Sequence, residues 1–215
     1  ILAGRIPDLF HFRPLVPFGA LKTGALGLAL WGLSLGVFEA QYVFVKPPLA
    51  YLEQFQGLHE LLRPAHAMGF ALSIVAIAVA PAICEEIVFR GLLTPVLNRA
   101  AGALAAMVVS GALFAVIHID TMRDGTSVYY RLPFAFLLGA LLARLRLDTG
   151  SLWPPVIAHA TLNATTFLVV LLIDEPKGVL PEPRPLIALG MLVVGSVVAR
   201  LLMRSVRTGP APSTA

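Results

Sequence analysis

The apolar residues of this chain arrive in six long blocks: Pro17–Phe38, Met68–Asn98, Gly102–His118, Leu132–Leu145, Ser151–Ile173 and Leu186–Met203. Such blocks read as membrane-depth helices, since a helix crosses a bilayer core with about 20 apolar residues. Soluble domains are about 45–50% apolar and about 25% charged. Here 58% of the 215 residues are hydrophobic and only 13% are charged. The expectation is an all-α, polytopic transmembrane helix bundle of about six spans plus an interfacial segment. Residues 1–16 form an N-terminal cytoplasmic or interfacial segment, 17–203 one transmembrane domain, and 204–215 a disordered tail. No cleavable signal peptide is expected, and the single Cys84 excludes an internal disulfide framework.

Basic residues set the orientation. With the N-terminus in the cytoplasm, nine basic residues fall on the cytoplasmic side, among them Arg13, Arg99, Arg144, Arg146 and Arg200. Six fall on the other side. This positive-inside bias predicts that both termini are cytoplasmic. It also accounts for the net charge of +4 without a nucleic-acid partner. Gly32 and Gly36 form a GxxxG pair suited to close helix packing. Glu39–Ala67 is too polar to span and too aromatic to be a free linker, so an interfacial or re-entrant segment is expected there. Within it, His59-Glu60-Leu61-Leu62-Arg63 begins like a zinc motif but has Arg63 in place of the second histidine.

Inside the second block stand Glu85, Glu86 and Arg90. Ionisable groups at membrane depth cost about 3 kcal/mol or more each, so they mark function. Glu86 and Arg90 are four residues apart, as are Phe114 and His118, and His159 and Asn163. Residues at that spacing share one helix face. Three such faces converging would enclose two glutamates, two histidines, an asparagine and an arginine. Each piece also has a purely structural reading: Glu86–Arg90 as an internal ion pair, His118 and His159 as packing residues, Asn163 as an interhelical hydrogen-bond residue. Arg90 neutralises one glutamate, and Glu85 is left over. A carboxylate so placed beside histidines suits general acid–base work.

The three ordered motifs, EExxxR, FxxxH and HxxxN, resemble those of the CPBP (Abi) family of intramembrane glutamate proteases, which includes the type II CAAX prenyl endopeptidases. The resemblance covers about 68–167. It implies an intramembrane endopeptidase whose glutamate- and histidine-activated water attacks a peptide bond of a membrane-associated protein or peptide, CAAX-like or a peptide precursor. Glu85 would be the general base with His118 assisting, and His159 and Asn163 would stabilise the oxyanion. Glu86 and Arg90 would support the site, and Phe114 would pack its wall. The resemblance implies metal-independent chemistry without a cofactor, although two glutamates, two histidines and an asparagine are also a donor set for zinc. It disfavours Cys84 as a nucleophile. A bacterial cytoplasmic membrane is the expected location. Two other classes stay open: a proton-coupled small-molecule transporter, and a non-catalytic membrane scaffold or immunity protein.

One distance tests the span boundaries. With these boundaries His118 lies roughly 24 Å from the cytoplasmic end of its helix and His159 roughly 12 Å from the start of its own. The two histidines meet only if a helix starts below the surface, tilts or has other boundaries, and the 100–106 stretch is expected to begin outside the bilayer core.

Overall fold

The computed structural model describes residues 11–47, 49, 67–119, 128–172 and 182–206. Among these residues the fold is entirely helical. Helix α1 spans Gly19–Phe44. A long helical run follows over Met68–Ile117, broken at Gly102 into legs α2 (67–101) and α3 (102–117). Helices α4 (Val128–Thr149), α5 (Trp153–Leu172) and α6 (Pro185–Ser205) complete the bundle. Among the described residues, a helix thus stands at each of the six apolar blocks. Gly19–Phe44, Met68–Ile117 and Pro185–Ser205 are long and apolar enough to cross a membrane. The HExxH-like stretch, most of the expected interfacial segment, the loop in which Asp124-Gly125 signals a turn by sequence, and residues 207–215 of the expected tail lie outside the described residues.

Gly102 has φ +83° and ψ 171°, a backbone state that favours residues without a Cβ. It reverses the chain. In a straight helix Thr94 and Ser110 would be roughly 24 Å apart, yet their hydroxyls lie 3.2 Å apart. Phe89 and Phe114 likewise meet edge-on, with ring centroids 5.2 Å apart. The two legs therefore run antiparallel about Gly102, and this register sets Glu85 level with His118.

Leg α2 is not a uniform helix. It widens into π turns at Val75–Val79 and Ile87–Leu93, on either side of Glu85 and Glu86. Each π turn ends two residues before a proline, Pro81 or Pro95. A proline lacks its N–H and crowds the carbonyl four residues back, and a widened turn relieves both problems. The sequence predicts a tilt, a kink at Pro81 or a projecting end for this leg. The structure has π turns and a projection: residues 99–104 at the hairpin tip are all exposed.

The core is built by short helix–helix approaches. Helix α1 packs between α5 and α6, α3 lies along α4, and the π-turned leg α2 packs on α5. The expected GxxxG face is only half used. Gly36 does press against Met191 and Leu192 of α6, whereas nothing comes within 4 Å of Gly32. The second close glycine of α1 is Gly27, against Ala158 and Thr161 of α5. Helix α1 also continues six residues past its expected end at Phe38, to Phe44. At its end the buried Glu39 pairs with Arg184 ahead of α6. Residues 11–13 are docked rather than a free tail. The Leu152 N–H donates to the His11 carbonyl, and Phe12 stacks edge-on against Trp153.

Helices α3 and α4 also approach closely. A Cβ on Gly139 would lie 2.8 Å from Gly111 Cα and 3.0 Å from Phe114 Cβ. Gly139→Ala is therefore expected to destabilise the bundle by about 1–3 kcal/mol, the usual cost of overpacking. Thermal unfolding of the purified protein checks this, and an unchanged midpoint would mean the two helices separate freely.

Candidate active site

The site is a meeting of α2, α3 and α5, backed by α4. Glu86 and Arg90 lie at its base with fully buried side chains. Arg90 Nη1 donates to Glu86 Oε1 at 3.0 Å, and its Nη2 donates to the Gly139 carbonyl of α4, also at 3.0 Å. The guanidinium stands over the Phe114 ring, 4.6 Å from its centroid. Burying an ion pair is costly unless its remaining hydrogen-bonding groups find partners. Here the same carboxylate oxygen of Glu86 also accepts from His159 Nδ1 at 2.9 Å. His159 is itself buried, with 3% of its side chain exposed.

Above this layer the site opens. Glu85 and His118 are 25% and 28% exposed. Glu85 Oε2 lies 3.9 Å from His118 Nε2 and 3.9 Å from His159 Nε2. It makes no hydrogen bond with any described residue. The other nitrogen of each ring is already committed. His118 Nδ1 is 2.7 Å from the Phe114 carbonyl, and a carbonyl only accepts, so that nitrogen carries the hydrogen. His159 Nδ1 donates to Glu86. Both Nε2 atoms are thus left facing the Glu85 carboxylate. This is the pattern in which a partner on one ring nitrogen sets the work of the other.

The helices explain why these side chains meet. The antiparallel register about Gly102 brings Glu85 to His118. Helix α5 starts at Trp153, so His159 is six residues in, roughly 9 Å. His118 is sixteen residues, roughly 24 Å, beyond Gly102. The histidines nevertheless both face Glu85, because the hairpin tip extends roughly 15 Å past the start of α5. An early start of this helix is one of the arrangements that the sequence geometry leaves open.

Of the sequence-predicted residues, Glu85, Glu86, Arg90, Phe114, His118 and His159 are gathered here. Phe114 is fully buried and joins the layers: its ring lies against His118 and His159, with centroids 4.5 and 5.7 Å away. Asn163 is one helical turn beyond His159 and half-buried. It makes no hydrogen bond among the described residues. Among the described residues no group of three or more His, Cys, Asp or Glu side chains is drawn tightly enough to hold a metal ion. The nearest donors to that purpose are Glu85, His118 and His159. Cys84 is exposed, with a free thiol.

Two participants carry no motif signal. The Gly139 carbonyl holds Arg90, and Arg146 Nε donates to the Arg90 carbonyl at 3.2 Å. In the sequence Arg146 reads only as an orientation signal.

Residues 67–165 match the family model of type II CAAX prenyl endopeptidase Rce1-like proteins. The matched segment contains all three motifs and every residue gathered at the site. This match supports the CPBP family for residues 67–165. Among curated proteins, the chain is similar to "Putative membrane peptidase YdiL" of Bacillus subtilis (strain 168), 27% identical over 111 residues. That match spans 52% of this chain and 41% of the relative. No solved structure matches the chain. The matched segment covers α2 to α4 and most of α5, the helices that build the site, and α1 and α6 lie outside it.

Proposed function

We propose that the chain is an intramembrane peptidase of the glutamate type, hydrolysing a peptide bond in a membrane-associated protein or peptide without a metal or cofactor. The observation that carries this reading is the position of Glu85 Oε2, buried, without a hydrogen-bond donor, and 3.9 Å from Nε2 of both histidines. A separation of that size between polar atoms is one that a water bridges.

Glu85 and His118 take a proton from such a water as its oxygen attacks the carbonyl carbon of the scissile bond. A carbon–oxygen bond forms and the carbonyl electrons move onto oxygen. Asn163 donates its amide hydrogen to that oxyanion. Its lack of a hydrogen-bond partner among the described residues leaves it available for a bond made only with substrate, where such donors contribute most. The proton taken from water is shared among Glu85, His118 and His159, so a ring nitrogen that accepted before attack can donate to the oxyanion after it. The proton then passes to the leaving nitrogen as the carbon–nitrogen bond breaks. Glu86, Arg90 and Phe114 hold the histidine rings.

The remaining parts of the reading rest on charge and composition. We read six spans with both termini in the cytoplasm, in a bacterial cytoplasmic membrane. The substrate class, CAAX-like protein or peptide precursor, follows from the family alone. Comparing the proteomes of membranes carrying wild-type protein or Glu85→Ala identifies it: fragments that vanish with the variant are the products. Identical fragment sets would count against peptidase activity, and solute flux into liposomes lost in the same variant would favour a transporter.

Cys84 is next to Glu85 and exposed. Cys84→Ser is expected to leave cleavage within about twofold of wild type, since surface changes away from such features have small effects. A loss of about 10²-fold or more, of the order of a catalytic group's contribution, would move the nucleophile from water to the thiol.

A further inference from the structure

We propose that Arg146 is a positioning residue of the active site, acting through Arg90 on Glu86 and His159. Its kinetic consequence rests on the peptidase reading; its structural consequence does not.

Arg144 and Arg146 have the same charge and lie two residues apart at the same end of α4, yet their surroundings differ sharply. Arg144 is 51% exposed and pairs along its own helix with Asp148. Arg146 is 5% exposed. A residue that serves only to orient the chain gains nothing from burial, which strips a guanidinium of its hydration. Arg146 instead reaches to α2, where its Nε donates to the backbone carbonyl of Arg90 at 3.2 Å. That carbonyl belongs to the π turn Ile87–Leu93, where the usual helical ladder is interrupted.

A second bond runs the opposite way. Arg90 Nη2 donates to the carbonyl of Gly139 on α4 at 3.0 Å. Gly139 and Arg146 are seven residues apart, so they share one face of α4 two turns apart. Helix α4 thereby holds Arg90 at both ends, by its guanidinium and by its backbone. With both ends fixed, the arginine has one position from which to bond Glu86 Oε1, the oxygen that also holds His159 Nδ1. The Nε2 of that ring is the atom facing Glu85. Arg146 is thus three contacts from the reacting atoms and touches none of them.

The test compares full-length wild type, Arg146→Gln, Arg146→Lys and Arg144→Gln in lipid nanodiscs. The first readout is amide hydrogen exchange over residues 87–94. Arg146→Gln is expected to speed exchange there about tenfold, and to lower kcat about tenfold with KM unchanged, the effect of about one lost charge-assisted hydrogen bond. Arg144→Gln, which removes the same charge from the same end of α4, is expected to change neither. If Arg146→Gln does not fold, Arg146→Lys decides: it keeps the charge, lacks Nε, and is expected to show the faster exchange. Unchanged exchange in the Arg146 variants would overturn the proposal, as would an equal effect of Arg144→Gln. Should wild type cleave nothing, the peptidase reading falls while the exchange comparison still decides the role of Arg146.

Discussion

Arg90→Ala is expected to destabilise the protein by about 3–5 kcal/mol, the range for removing one partner of a buried ion pair. The side chain is fully buried, with Glu86 as its ionic partner and the Gly139 carbonyl as a second acceptor. Truncation leaves the Glu86 carboxylate buried with His159 as its remaining partner, and it empties the space under the Phe114 ring. Arg90→Lys restores the charge but not the fork that reaches Glu86 and Gly139 together, so an intermediate loss is expected. The double variant Glu86→Gln/Arg90→Met removes both charges at once and is expected to recover much of the stability, because an apolar or neutral replacement of a whole buried pair is far less costly. Unfolding in mixed micelles measures all three. Equal stability of Arg90→Ala and wild type would mean that solvent reaches the pair.

Glu85→Gln is expected to abolish cleavage and leave the fold intact. The substitution keeps the size of the side chain and removes its capacity to take a proton. Glu85 is 25% exposed and is not part of the Glu86–Arg90 pair, so no buried charge is stranded. A general base contributes about 10²–10⁴-fold to rate, and a loss in that range is expected in kcat. KM is expected to stay near wild type, since no ground-state contact depends on the missing charge. His118→Ala, which removes the second group facing the same oxygen, is expected to fall in the same range. A double variant no worse than either single one would show that the two act as a unit.

The helical class and the positions of the six helices were legible from the apolar blocks, because burial in a bilayer leaves its mark along the whole sequence. The gathering of Glu85, Glu86, Arg90, Phe114, His118 and His159 was legible too, because four-residue spacing reports helix faces directly. The local pattern does not report which atoms meet across helices. Nothing in EExxxR says that Glu86, rather than Glu85, receives His159. The resemblance and the Arg90 spacing already divide the two glutamates, and the His159 contact of Glu86, 73 residues apart, is what no local pattern reports. Arg146 was read as a charge at a membrane boundary, and only its burial separates it from Arg144. The GxxxG pair misled at Gly32 because small residues are common in apolar helices, and which one packs depends on the partner. The π turns had a signal in retrospect: Pro81 and Pro95 stand two residues past them and bracket the glutamates. Asn163 shares the expected face but makes no hydrogen bond among the described residues.

The most direct test reconstitutes wild type and Glu85→Gln into liposomes, supplies membrane-associated peptides in ¹⁸O-labelled water, and reads the products by mass spectrometry. Wild type is expected to produce new termini with the label in the freed carboxyl group, and Glu85→Gln to produce none while remaining folded and inserted. Labelled products from Glu85→Gln at the wild-type rate would contradict the account.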